Sequence, residues 1–101
     1  LAGPLNSKFN GIIIQKTYDK AYTIDAEARL NILGNEMGYS TPSGYTLLGI
    51  ISFSSGHGDV TISSINASAQ NTNGLSLRNN AKTAISATAR IVVAYIKSAL
   101  L

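Results

Sequence analysis

The stretch Thr83-Ala84-Ile85-Ser86-Ala87-Thr88-Ala89-Arg90-Ile91-Val92-Val93-Ala94-Tyr95-Ile96-Lys97 decides the fold. Ile85, Ala87, Ala89, Ile91, Val93 and Tyr95 fall at every second position, which is the period of a β-strand with one face buried. A helix over Ala81 to Lys97 is the competing reading, with Ile85, Thr88, Val92 and Tyr95 sharing a face. The density of β-branched residues favours the strand. Its other face changes character along its length. Ser86, Thr88 and Arg90 are polar, whereas Val92, Ala94 and Ile96 are apolar. A small two-sheet domain cannot cover both faces of an outer sheet. Val92, Ala94 and Ile96 are therefore expected to lie at a contact with a neighbouring subunit.

Working back along the chain, Leu75 and Leu77 alternate with Ser76 and Arg78, and Asn79-Asn80 turns. Asn71-Thr72-Asn73-Gly74 carries a hairpin signal. Val60 and Ile62 alternate with Thr61 and Ser63, while Ile65 is out of phase, which places a bulge near Ser64. Ser54-Ser55-Gly56-His57-Gly58-Asp59 is a turn cluster. Tyr45, Leu47, Gly49, Ile51 and Phe53 form one strand face, and Gly49 marks a bulge or close contact. Gly38 to Gly44 is a loop containing Pro42. Ala26 to Leu33 is ambiguous. Asp25 and Gly34 could bound a helix there, yet Ala28, Leu30 and Ile32 alternate with Glu27, Arg29 and Asn31, and strand is preferred. Tyr22 and Ile24 face away from Ala21, Thr23 and Asp25. Ile12-Ile13-Ile14 is apolar on both faces of a strand and is a second candidate for a subunit contact. Residues 1–10 read as a linker or the end of a preceding stem, and 11–101 as one domain. No internal repeat appears. The expected fold is all-β, a small antiparallel sandwich.

Of the 101 residues, 45% are hydrophobic and only 13% charged, against an average of about 25% charged. The polar surface is instead carried by 12 Ser, 8 Thr, 9 Asn and 2 Gln. This balance excludes a charge-rich disordered tail and a coiled coil. There is no Cys, hence no disulfide, thiolate nucleophile or Cys-based metal site. The net charge of +3 is spread over scattered basic residues, without the stripe a nucleic-acid surface needs. No apolar run is long enough to span a bilayer as a helix.

Catalytic signals are weak throughout. His57 is the sole histidine, and Gly-His-Gly-Asp offers two metal ligands where structural zinc needs four. No Gly-x-Ser-x-Gly elbow occurs among the serines, and no phosphate-cradling loop is present. Asp25 and Glu27 share a strand face but read as exposed solubilising carboxylates. Tyr18 between Lys16 and Lys20, with Tyr22 beyond, is the best aromatic-basic cluster, and a solvated strand face explains it equally well. No enzyme activity, metal, cofactor, nucleic-acid partner or membrane insertion is expected. Carbohydrate recognition asks for Asn, Asp, Ser and Thr groups with an occasional ring. The loops supply these, and Tyr39, His57, Asp59, Asn71 and Asn73 are the expected ligand contacts.

The segment Pro42-Ser43-Gly44-Tyr45-Thr46-Leu47-Leu48-Gly49-Ile50 resembles one found in bacteriophage tail-tip and prophage minor structural proteins of Gram-positive hosts. Leu75-Ser76-Leu77-Arg78-Asn79 and Ile91-Val92-Val93-Ala94-Tyr95-Ile96-Lys97 are similar to the strands that follow it, and Tyr22-Thr23-Ile24-Asp25-Ala26 to the strand that opens such a domain. The resemblance spans roughly residues 20 to 98 and rests on structural residues. It implies the C-terminal head of a tail fibre or receptor-binding protein: a jelly-roll-like β-sandwich, homotrimeric, on the virion tail, acting outside the cell. The implied partners are its own copies, the remainder of the phage tail and a bacterial cell-surface glycan. Two alternatives are a trimerisation module that ends a fibre without a ligand, and a monomeric carbohydrate-binding module.

Overall fold

Ile85–Lys97 forms the longest strand of the molecule, and two other strands pair along it. The computed structural model describes residues 11–101; the expected linker, residues 1–10, lies outside them. The elements in chain order are β1 (Ile13–Ile24), β2 (Arg29–Leu33), a one-turn helix α1 (Gly34–Met37), β3 (Tyr45–Ser54), β4 (Val60–Ile65), β5 (Asn73–Asn79), β6 (Ile85–Lys97) and a closing 3₁₀ turn (Ser98–Leu100). Strands account for 58% of the described chain. The fold is all-β. Two antiparallel three-stranded sheets have orders β1-β6-β3 and β2-β5-β4.

One core serves both sheets. β6 contributes Ile85, Ala89, Ile91, Val93 and Tyr95, and β1 contributes Tyr18, Tyr22 and Ile24. From the other sheet come Ile32, Val60, Leu75 and Leu77. The period-two pattern of β6 is thus realised, and the helix alternative is not. Along β6, apolar side chains of one parity face the core and the Ser86, Thr88 and Arg90 side is exposed.

Residues 26–33 split. Ala26 and Glu27 form a turn, with Glu27 at φ 54 and the Ala28 amide donating to the Asp25 carbonyl. Arg29–Leu33 then pairs with β5 as a strand. Gly34–Met37 closes into one helical turn ended by Gly38 in the left-handed region. That turn packs where only a glycine fits. A Cβ on Gly34 would lie 2.0 Å from the Ala69 carbonyl oxygen.

Two of the three register shifts, those at Gly49 and near Ser64, fall where the sequence points. β4 shifts register between Ile62 and Ser64. β3 shifts twice, between Leu47 and Gly49 and between Ile50 and Ser52. A bulge bends and twists its strand. β3 is an edge strand, and its Leu48, Ile50, Ile51 and Phe53 are exposed, Phe53 at 62%. No charged residue occurs from Met37 to Gly58.

This shifts the exposed apolar surface away from its expected place. Ala94 is buried within its own chain, and Val92 and Ile96 are half-buried. β6 is the central strand of its sheet, so β1 and β3 flank these small and branched side chains on both sides. Ile12 and Ile14 are half-buried, Ile14 against the core, while Ile13 is exposed.

Candidate functional site

Tyrosine hydroxyls position the loops. Tyr22 donates to the Ser55 carbonyl at 2.5 Å and so ties the β3–β4 loop to β1. Tyr18 donates to the Ser40 carbonyl at 3.1 Å and accepts from the Ser40 amide at 3.3 Å. Its hydroxyl also meets that of Tyr95 at 2.6 Å. With the single Tyr18 proton on Ser40, the Tyr95 hydroxyl is the donor in that pair. Tyr45 donates to the Gly11 carbonyl. Tyr39 donates to the Gly74 carbonyl at 3.1 Å and stacks edge-on against Tyr18, with ring centroids 5.1 Å apart. Burial pushes Tyr39 up to about 12 and raises Tyr95 further, the Tyr18 hydrogen bond adding to the rise.

Tyr39 is therefore a core residue, 2% exposed, and not the loop-surface contact the sequence led us to expect. Its ring fills space beside Gly74, where a Cβ would lie 2.8 Å from it. Tyr18 and Tyr22 are also buried, so the Lys16–Tyr22 segment presents no exposed ring platform. Lys16 instead donates to the Ser40 carbonyl at 3.1 Å and sits 5.4 Å from the Tyr18 ring centroid.

The other four expected contacts are exposed but fall into two groups. His57 and Asp59 lie in the β3–β4 loop. The Asp59 amide donates to His57 Nδ1 at 3.1 Å, which leaves the proton of the neutral ring on Nε2. Ser55 Oγ donates to the His57 carbonyl at 2.7 Å rather than to the ring, so no nucleophile–base pair forms. Asn71 and Asn73 lie at the opposite end of β4, about 20 Å away at the usual strand rise. Asn71 Oδ1 accepts from Asn35 Nδ2 at 3.2 Å. The two groups cannot touch one ligand ring together. No three His, Cys, Asp or Glu side chains converge to hold a metal among the described residues.

The structure assembles another polar group beside His57. Gly56, at φ 84, brings the β3–β4 loop against the backbone of Thr88, and a Cβ there would meet the Thr88 carbonyl oxygen at 2.2 Å. Next to it Arg90 donates from Nε to Asp19 Oδ1 at 2.8 Å and from Nη2 to Asp19 Oδ2 at 3.1 Å. This two-point bond holds the Asp19 carboxyl below its ordinary value. Asp19, Ser54, Thr88 and Arg90 line one shallow surface depression of about 300 Å³. A single sequence shows that Ser86, Thr88 and Arg90 share a polar face. It does not show that Asp19 lies opposite Arg90, because register between strands 71 positions apart is fixed by tertiary pairing.

No protein-family model, curated protein or solved structure matches this chain.

Proposed function

We propose that the domain is the attachment head of a bacteriophage tail fibre, assembled as a homotrimer and binding a polysaccharide on the host surface. The resemblance at Pro42–Ile50, Leu75–Asn79 and Ile91–Lys97 motivates the reading. The strand pairing supports it. β1 pairs with β6 and β2 with β5, while β3 and β4 are consecutive strands in opposite sheets. These nested pairs follow the strand order of a jelly roll with two strands fewer.

The observation that carries the assembly is β3. It is an edge strand with four exposed large apolar side chains and no charge. Edge strands of stable monomers are blunted by charge, proline or bulges, and β3 has only its bulges. Exposed apolar side chains gathered on one edge strand mark an interaction surface. The subunit contact therefore centres on Leu48, Ile50, Ile51 and Phe53, with Val92, Ile96 and Ile13 as its periphery. The hydroxyl- and amide-rich remainder suits sugar hydroxyls, which need paired donors and acceptors more than charge.

The same β3 surface favours a second reading, a module that only trimerises and ends a fibre. Adsorption of the purified domain to Gram-positive cells, and to polysaccharide stripped from them, separates the two. Saturable binding to both supports attachment. A trimer that binds neither leaves the purely structural module.

A further inference from the structure

Asp19 pairs with Arg90, Ala21 with Thr88 and Thr23 with Ser86 along β1 and β6. Directly opposed residues share a face, and all six are exposed on the side away from the core. Two shallow depressions lie on this face. One, of about 500 Å³, is bordered by Ala21, Thr23, Ser86 and Thr88. The other is the 300 Å³ depression over Asp19, Ser54, Thr88 and Arg90. Thr88 borders both, so the two depressions adjoin on one face; the pair is termed the trough. The small side chain of Ala21 keeps its floor low, and Ser54 of β3 borders one side. From Asp19 to Thr23 it runs about 13 Å at the usual strand rise, longer than a single sugar ring.

The chemistry of the trough is specific. Arg90 uses two of its five N–H groups on Asp19, which leaves three donors beside carboxylate lone pairs. A vicinal diol, whose hydroxyls each donate and accept, matches that arrangement. Thr23 Oγ1 and Ser86 Oγ, 2.8 Å apart, offer a second hydroxyl pair at the other end. The charges of Asp19 and Arg90 cancel, and the other lining side chains are uncharged, which favours a neutral ligand over an anionic one. Tyr22, the one ring that borders the trough, is 7% exposed. Recognition there runs through hydrogen bonds and not through stacking.

We propose that this trough seats a neutral oligosaccharide along β1 and β6, with a vicinal diol on the Asp19–Arg90 pair. The inference rests on the attachment reading above and names its site. It leaves His57, Asp59, Asn71 and Asn73 all outside the lining of the site.

The test uses an array of purified bacterial cell-wall and capsular polysaccharides, probed with the intact domain and three variants. Thr88→Tyr fills the trough with a strand-compatible side chain, Asp19→Ala removes the diol acceptor, and Ser64→Ala alters the other sheet. Binding weakened about tenfold or more by the first two, and unchanged by the third, supports the trough; tenfold corresponds to about 1.4 kcal/mol, the scale of one or two net hydrogen bonds. Amide shift mapping on the unmodified domain, with oligosaccharide from the strongest spot, guards against a misfolded variant. Shifts should centre on Ala21, Thr23, Ser86 and Thr88. Strong array binding with shifts confined to Asn71 and Asn73, or undiminished in folded Thr88→Tyr, overturns the trough and leaves attachment standing. No binding to any polysaccharide overturns both.

Discussion

Among the described residues, Asn79 is the one buried polar side chain apart from the tyrosines, at 0% exposure. Its Nδ2 lies 2.8 Å from the Thr83 carbonyl, 3.1 Å from that of Asp25 and 3.3 Å from that of Ile24. Its Oδ1 accepts from the Ala81 amide at 2.9 Å. One amide thus ties the turn after β1 to the turn before β6. An amide can do this because it offers two donors and an acceptor in one plane. Asn79→Ala strands several buried backbone groups, and we expect a loss of about 2–3 kcal/mol. Urea unfolding should show a lower midpoint at unchanged slope; a loss under about 1 kcal/mol would mean that water replaces the amide. The tyrosines give a pH prediction. Tyr39 is neutral in the fold until about pH 12, while an exposed tyrosine ionises near 10. The unfolded chain therefore releases this proton first as pH rises. Stability should be unaffected by Tyr39 below about pH 10 and fall from there towards pH 12. Melts in Tyr39→Phe should show a shallower alkaline decline. An identical decline in both proteins would remove Tyr39 as its source.

At the scale of elements, β6 was legible from the sequence because burial of one face leaves a period-two trace that no loop imitates. The bulge in β4 was legible as a break in that period at Ile65, and Gly49 marked one of the two in β3; the other, between Ile50 and Ser52, left no such sign. Ala26 to Leu33 was ambiguous because its Ala, Glu, Arg and Leu residues are good helix formers, and pairing of Arg29–Leu33 with β5 overrides them. The one-turn helix α1 left no periodic signal at four residues. The loop of His57 was visible as a turn, but its seat against Thr88 was not, since nothing local encodes contact between residues so far apart. Tyr39 misled for a related reason. Its polar neighbours Ser40 and Thr41 look like a surface loop, whereas its ring is held inward by Tyr18 and Gly74. The glycine beside it yields the next prediction. Gly34→Ala drives a methyl into the Ala69 carbonyl and against the Gln70 backbone nitrogen. Overpacking of rigid backbone costs about 1–3 kcal/mol, so the melting temperature should drop by several degrees. Gly49→Ala, where nothing lies within 4 Å of the added carbon, is the matched control and should drop little. Equal drops would show that the Ala69 contact does not set the cost.

At the scale of the whole molecule, the two proposed surfaces lie on different parts of one sheet. The trough uses the β1–β6 half at Asp19–Thr23 with Ser54 at its rim, and the apolar side chains lie on β3 from Leu48 to Phe53. They can therefore be separated by substitution. Ile51→Lys with Phe53→Lys puts two charges on the uncharged edge, a device by which natural edge strands resist pairing. Both side chains are already exposed, so the isolated fold should tolerate the change. Light scattering should report a mass near three times 10.6 kDa for the unmodified domain and a single 10.6 kDa copy for the double variant. A shallow hydrogen-bonded site binds weakly, because ordering and desolvation offset most of its contacts. Three sites facing a repetitive polysaccharide gain by effective concentration, on the order of 10²–10⁴ in avidity. The double variant should therefore bind a soluble oligosaccharide as tightly as the parent yet lose most of its hold on immobilised polysaccharide. Loss of both affinities together would mean that the ligand site is built across the subunit contact. A trimeric double variant would move the contact from β3 to the Val92–Ile96 side of β6.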